Sequence, residues 1–491
     1  MKKQKHLTSS IITNVIYNGI SNAISKIGAL IFTIVIARML FPELFGIYSL
    51  VITIIITIIT FSDLGMGSAT VRYLSESLGN KNKKQARSRF QFLLKLKGKL
   101  SLIISFILFI LSGTIAVLFK KPELAIPLRI GSFYILINAF YSTVTSVFLS
   151  VQKLRYSAIA ELIFQASRLI LVCILLYFFK SVETIFVILT ISIMFSLIFS
   201  YLILRKNFPF LIKGEIEPVE RKRILKFSGY LTLGSVGAVI FGNIDKLVLG
   251  YYVAAELVGV YAAIITLTGA AFGIISLGSV FMPTFTQFNG QRLERAFKKI
   301  FHYLSIIAFP LAFGLAFLAL PLIKLLYGAE YVPFALRTSI AFTSILLSLL
   351  IIENVFTALY TVLFNSKEKP RTTAILNITT SAITIILSII LVIVFIKVNI
   401  SYSLVAVALA AFIGRYVGLF AAMFICRKQM RISPNLSSIL KPFTASLLML
   451  GYMFVFKFYI NLTILTGITL ILTSVLIYYI SIIGLKGIKF E

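Results

Sequence analysis

The chain predicts an all-α polytopic membrane protein of about 14 transmembrane helices, built as two pseudo-symmetric six-helix lobes plus two C-terminal helices. Three observations lead there: an apolar composition, a series of apolar segments with alternating loop charge, and a short motif after the first segment that returns after the seventh. Of the 491 residues 59% are apolar and 13% charged, with a mean hydropathy of +1.01. A soluble domain carries about 25% charge.

Apolar segments of about 20 residues, enough to cross a bilayer core, lie near 14–37, 44–63, 100–119, 128–150, 158–179, 182–204, 228–250, 257–282, 301–327, 334–364, 373–396, 403–426, 441–459 and 462–484. The start, Met1-Lys2-Lys3-Gln4-Lys5-His6, is basic like the beginning of a signal peptide. The segment after it carries Asn14, Asn18, Asn22 and Lys26 and ends in a charged turn without a small-residue cleavage pattern, so a retained first span is expected. The third and fourth segments are parted by Lys120-Lys121-Pro122-Glu123, where proline and charge end a helix.

The loops give the orientation. With a cytoplasmic amino terminus, the dense basic runs 81–99, 221–226, 292–299 and 367–371 all fall inside, while the outside turns hold Lys120, Lys121, Lys180, Lys397 and, at their edges, Arg38 and Lys457. Both termini are expected in the cytoplasm and the protein in the plasma membrane. The net charge of +31 then reflects loop charge and does not call for nucleic acid. The longest loops, 64–99 and 205–227, are basic and read as amphipathic surface helices, with no room for an extramembrane catalytic domain.

The repeat gives the organisation. Glu43-Leu44-Phe45-Gly46-Ile47-Tyr48 returns as Glu256-Leu257-Val258-Gly259-Val260-Tyr261, each copy between two apolar segments. Leu128-Arg129 and Leu336-Arg337 open one pair of corresponding segments, and Gln152-Lys153 and Ser366-Lys367 close it. The expected domains are 1–204, a six-helix lobe; 205–227, a cytoplasmic linker with Pro209, Gly214 and Pro218; 228–430, the second lobe; and 431–491, two added helices.

Cys173 and Cys426 lie in different apolar segments and His6 and His302 are the only histidines, so neither a disulfide framework, a metal site nor a cofactor is expected. With no tryptophan, the 22 tyrosines would supply any interfacial aromatic belt.

A charged side chain at mid-bilayer costs about 2.5–3.5 kcal/mol on insertion scales, so each needs a partner or water. In the first span Asn14, Asn18, Asn22 and Lys26 recur at steps of four beside Ser21 and Ser25, which makes one face polar. Interhelical hydrogen bonding is one use for such a face; Lys26 near mid-span favours a hydrated substrate cavity. The seventh span repeats the stripe with Ser228, Thr232, Ser235, Gly242 and Lys246, and Asp245 adjoins it. In the fifth span Glu161, Gln165 and Arg168 share a face, either as a structural ion-pair network or as a site. The tenth carries Glu353 and Asn354, and the twelfth Arg415 between Gly414 and Gly418. The candidate cavity residues are Asn18, Asn22, Lys26, Arg168 and Arg415, whose cations suit an anionic cargo. Glu161, Asp245 and Glu353 are candidates for coupling a proton or sodium ion. Asp63 and Gly65, where the second span meets the cytoplasmic side, are a candidate hinge or gate, a helix-end cap being the simpler role.

Ala37-Arg38-x-Leu40-x-Pro42-Glu43-x-x-Gly46-x-Tyr48, with Asp63-Leu64-Gly65 and Ala69-x-x-Arg72-Tyr73, resembles the opening of the polysaccharide-biosynthesis flippases of the multidrug, oligosaccharidyl-lipid and polysaccharide (MOP) exporter superfamily. Asp245-x-Leu247-x-Leu249-Gly250 through Gly259-x-Tyr261 is similar to the start of their second lobe. The resemblance implies a V-shaped pair of lobes working by alternating access. Its cargo would be a lipid-linked oligosaccharide on polyprenyl phosphate or pyrophosphate, and its partners membrane lipid and a coupling ion. The expected working unit is a monomer. A multidrug or small-solute antiporter and a peptidoglycan-precursor flippase are the alternatives within this architecture; an enzyme would need an ordered external loop or a nucleotide-binding motif, and neither is seen.

Overall fold

A computed structural model of the protein describes residues 2–275, 281–435, 437–460, 463–485 and 487; the side chains of 2–16, 18, 230–241, 273–275, 283 and 464 lie outside the description. The described chain is helical throughout, without strands: α1 (Lys2–Asp63), α2 (Met66–Gly79), α3 (Lys83–Leu118), α4 (Ala125–Ser150), α5 (Leu154–Phe178), α6 (Val182–Asn207), α7 (Arg221–Tyr252), α8 (Ala255–Ile275), α9 (Met282–Gln287), α10 (Gly290–Leu326), α11 (Arg337–Ser366), α12 (Pro370–Val398), α13 (Ser403–Met430), α14 (Ser437–Tyr459) and α15 (Ile464–Gly484). Among the described residues 12 helices are long and apolar enough to cross a membrane. Counting α1 as two spans and adding α7, which occupies the seventh expected segment, recovers the expected series.

α1 holds two spans because it breaks at a single residue. Phe41 sits at φ 60, ψ 173, and Pro42 comes next, lacking an N–H and fixed at a helical φ, so it starts the second half. A left-handed φ on a phenylalanine costs about 1–3 kcal/mol unless the surroundings hold it. Leu64 and Gly65, at φ 43 and 66, end that half and turn the chain into α2.

The chain divides into two compact units, Met1–Gly259 and Val260–Glu491. In the first, α4 is central, packing against α3, α6, α2 and α1, while α5 packs on α1 and α6, and α7 on α1. Lipid supplies no hydrophobic drive between helices, so close approach and buried hydroxyls hold such contacts. Ser196 of α6 donates to the Ala160 carbonyl of α5 at 2.6 Å. The closest approach joins the two copies of the repeated hexamer. A Cβ on Gly46 would overlap the Ala255 carbonyl and lie 2.9 Å from Gly259 N, and a Cβ on Gly259 would lie 3.0 Å from Gly46 N. Only glycine at both positions lets the backbones of α1 and the first turn of α8 meet this way. Nearby, Lys121 Nζ, in the turn before α4, donates to the carbonyls of Gly250 at 2.6 Å and Val253 at 2.8 Å. It caps the C-terminus of α7, where the helix dipole favours a cation; burial draws its pKa below the usual lysine range, and Glu123 partly opposes this.

Within the 64–99 loop, residues 66–79 form the expected amphipathic helix, α2, with Met66, Ala69, Tyr73 and Leu74 buried. Residues 83–99 instead continue unbroken into the membrane span of α3. The 205–227 linker is not a surface helix: Pro209–Leu211 is a short turn and Gly214 takes φ 129. Residues 215–220, after this turn, are strapped to α2 and α3. Ser88 Oγ accepts the Glu217 N–H at 2.7 Å, Asn82 donates to Glu217 at 3.1 Å, Lys84 pairs with Glu215, and the buried Arg89 lies between Glu76 and Glu220.

In the second unit α11 packs on α10 and α13, α12 on α13, and α14 on α10 and α15. Phe301 stacks on Phe356 at 4.2 Å, joining α10 to α11. Tyr478 of α15 donates to the Ile306 carbonyl of α10 at 2.8 Å.

Candidate functional site

The polar residues of the first unit gather around Arg168. It is 8% exposed, on the buried face of α5, with its guanidinium carbon 4.5 Å from the Phe32 ring centroid and 5.1 Å from that of Phe164. Tyr48 of α1, Tyr134 of α4 and Glu161 of its own helix lie within electrostatic reach. Its Nε and Nη2 are buried and make no hydrogen bond among the described residues. Gln165, one turn away, donates to Glu161 Oε1 at 2.6 Å and leaves its own Oε1 unpaired. α1 makes room for it with Gly28, where a Cβ would stand 2.9 Å from Gln165 Cδ.

This arrangement suits an anion. A guanidinium presents fixed donors that match carboxylate or phosphate oxygens two at a time, and aromatic faces hold its plane. Two unmade donor bonds on a buried cation are costly, more than the roughly 1–3 kcal/mol of a neutral group.

The second unit has a smaller cluster. Glu353 on α11 is 4% exposed; Thr357 donates to its Oε1 at 2.6 Å, and its Oε2 is unpaired. Arg415 of α13 is the cation in electrostatic reach of that carboxylate. Next to it Tyr416 donates to the Leu349 carbonyl at 3.0 Å and fixes α13 on α11.

The other expected residues are scattered. Asn22 and Lys26 are on exposed positions of α1, and the side chain of Asn18 lies outside the described residues. Asp245 is 6% exposed and its Oδ1 accepts the Lys246 N–H at 2.9 Å. Thr232 and Ser235 of the seventh-span stripe are outside the described side chains. Asp63 pairs with Lys97 of α3, which also donates to Ser142 of α4 at 2.8 Å. Gly65 takes the left-handed conformation beside it.

Lys97 does not stand out in the sequence, where it lies in the basic run before the third span. A signal is nevertheless present: Ala86, Phe90, Leu93, Lys97, Ser101 and Ser105 recur at steps of three and four, all of them buried. A lysine on that face must have a counter-charge.

Known proteins share this architecture. Lipid II flippase MurJ in an inward closed conformation superposes with a TM-score of 0.75 at 18% identity, over 96% of this chain and 98% of that one. An inward-facing multidrug resistance MATE family transporter of the MOP superfamily superposes with a TM-score of 0.60 at 17% identity, over 85% of this chain and 94% of that one. An uncharacterized membrane protein of Methanocaldococcus jannaschii is 22% identical over 311 residues, 58% of this chain; the match spans 61% of that relative's length. The chain therefore shares the fold of these two proteins, and 12 of its described helices are long and apolar enough to cross a membrane. The model of the family described as polysaccharide biosynthesis protein matches residues 11–289, more than half of the chain, and the chain belongs to that family.

Proposed function

We propose that the protein is a flippase that carries a lipid-linked oligosaccharide, on polyprenyl phosphate or pyrophosphate, across the plasma membrane by alternating access for cell-surface polysaccharide synthesis. Family membership supports the glycan. The observation that carries the anionic cargo is Arg168, a buried guanidinium with two unpaired donors between aromatic rings. Asn18, Asn22 and Lys26 of the first unit and Arg415 of the second are the other proposed cargo contacts, each within its own unit, for a sugar head that crosses while the lipid tail stays in the bilayer. Both termini are cytoplasmic, the halves are 1–204 and 228–430 with 431–491 added, and the monomer is the working unit.

Of the candidate carboxylates, Glu353 is the one we assign to ion coupling, because one oxygen is held by Thr357 and the other is unpaired. Asp245 and Glu161 also have one bonded oxygen but no buried oxygen left over, and are secondary candidates. Asp63 with Lys97, next to the break at Gly65, is assigned to the hinge.

The test is translocation of a fluorescent lipid-linked oligosaccharide in proteoliposomes. Arg168→Ala is expected to lower the rate at least tenfold, and Arg168→Lys to restore little, because an ammonium cannot replace a planar fork. Efflux of an organic cation, with no glycolipid movement, would replace the proposal with the antiporter reading.

A further inference from the structure

A phosphate on Arg168 leaves the polar groups beside it unused. α4 and α5 each pack on α1 and α6 more than on one another, so side chains from the two meet across the middle of the bundle. Ligand sites in helical bundles are built there, from facing helices. The short turn after Ser150 joins the two helices, which run in opposite directions. Their side chains keep that order. Tyr134 of α4 lies in electrostatic reach of Arg168, and Tyr141, two turns further on, in reach of Glu161 and against Ser196 of α6. Asn138 falls between the two tyrosines on the same face of α4, at steps of four and three. Arg168 and Gln165 are buried, whereas Tyr134, Asn138, Tyr141 and Glu161 are half-buried.

The chemistry changes along this row. Arg168 and Glu161 are seven residues apart on α5, roughly 10 Å of helix. At the Arg168 end are donors, the adjoining Nε and Nη2 that make no hydrogen bond among the described residues. At the Glu161 end are a carboxylate, whose Oε1 is held by Gln165 Nε2 at 2.6 Å, an amide and a tyrosine ring. An ionised phosphate diester has no hydrogen to give a carboxylate. Sugar hydroxyls do, two neighbouring ones to a single carboxylate, and the C–H face of a pyranose lies well on a tyrosine ring, whose apolar body carries a polar tip.

We propose that the Glu161 end binds the first sugar of the cargo, the one joined to the phosphate, as a pyranose bearing no acid group. Its hydroxyls meet Glu161 and Asn138 and its ring lies against Tyr134 and Tyr141, while Gln165 positions the carboxylate. The assignment rests on Arg168 being the phosphate contact, and with Glu353 given to ion coupling it leaves Glu161 for the sugar. The same carboxylate rejects acidic sugars: once the phosphate has neutralised Arg168, a uronate would place like charges side by side. Arg168 itself opposes an organic cation in this position.

The test is direct binding to the full-length protein in detergent, by calorimetry, with three short-chain probes: farnesyl phosphate, glucose linked to farnesyl phosphate, and glucuronic acid linked in the same way. Hydrogen bonds to a charged group are the strong ones, so the glucosyl probe is expected to bind about tenfold tighter than the bare phosphate or better. The glucuronosyl probe should bind about tenfold weaker than the glucosyl one or worse. In Glu161→Gln, which keeps the size of the side chain, the two sugar probes should converge; the comparison is made inside one variant, so any loss of folded protein cancels. Equal binding of all three probes, with Arg168→Ala still weakening each, would overturn the sugar subsite and leave the phosphate contact standing. Discrimination that persists unchanged in Glu161→Gln would place the sugar elsewhere and overturn it as well. Tighter binding of tetraphenylphosphonium than of any probe, lost in Glu161→Gln, would assign the carboxylate to a cation. No binding of any of the three would overturn both this assignment and the flippase proposal, whereas the expected discrimination without glycolipid movement in proteoliposomes would count against the flippase proposal alone.

Discussion

The Gly46–Gly259 crossing allows a quantitative prediction. A methyl group on Gly46 would overlap the Ala255 carbonyl oxygen and stand 2.7 Å from its carbon, where ordinary contact begins at 3.4 Å. Both neighbours are helix backbone and cannot rotate aside, so α1 and α8 must separate there. Overpacking a tight contact costs about 1–3 kcal/mol, and here the upper half of that range applies because no side chain can absorb the strain. Gly259→Ala meets the Pro42 carbonyl in the same way, with a Cβ 2.8 Å from its carbon, and should cost as much. Once either methyl group has opened the crossing the second finds room, so the double variant should fall short of the sum by about 1 kcal/mol or more. Gly113→Ala is the control: nothing lies within 4 Å of that Cβ, and an alanine inside α3 should be neutral or stabilise by up to about 1 kcal/mol. Reversible denaturation of the purified protein in mixed micelles measures all four. Wild-type stability in Gly46→Ala, or strict additivity in the double variant, would refute the close crossing.

Other contacts give three further expected outcomes. Asp63→Ala strips the buried Lys97 ammonium of its counter-charge, and breaking one side of such a pair costs about 3–5 kcal/mol when both partners are buried; with a third of Asp63 exposed, a smaller loss is expected, read as a lower denaturation midpoint that Lys97→Met in the same chain partly restores. Lys84 holds the Glu215 carboxyl below the usual carboxylate range, first by its hydrogen bond and then by its charge, and Arg223 does the same for Glu220. Depressed carboxylates contribute stability that is present above their unfolded pKa, about 4.3, and lost as the pH falls through the folded values. The strap at 215–220 should therefore resist an acid-tolerant protease at neutral pH and become cleavable below about pH 4; unchanged cleavage down to about pH 3 would contradict the pairing. Glu353→Gln should keep the fold and the Thr357 contact while removing the dependence of glycolipid transport on a proton or sodium gradient, measured by collapsing each gradient in turn.

The spans could be read from hydropathy because each must satisfy its backbone within itself, which leaves a long apolar signature. The turn at 37–48 was legible as an interruption, yet the helix resumes after one residue, since Phe41 alone leaves helical geometry and Pro42 restarts it. The repeated hexamer could be read from the sequence; that its two glycines touch could not, because sequence shows likeness and not proximity. Proline and glycine at 209, 214 and 218 marked the linker and also argued against the surface helix expected there, and the backbone at Gly214 obeys them. Arg168 could be placed on a face with Glu161 from spacing, while its rings, Phe32 and Tyr48, come from another helix and a distant stretch of chain. Lys97 was hidden by its company: the other basic residues between 83 and 99 made it look solvated, although its register on α3 put it inside.

The docking of α7 on α1 bears on how the molecule is made. The first unit runs to Gly259, beyond the linker, so its opening helix lacks its last neighbour until that much of the chain has been synthesised. Until then the bundle would have one flank uncovered, and the strap at 215–220, which ties the start of α7 to α2 and α3, would hold the late helix close to its place. A ribosome pause just after residue 259 would let that bundle close before the second one begins, and a pause just before 221 would leave it open to the cell's quality control.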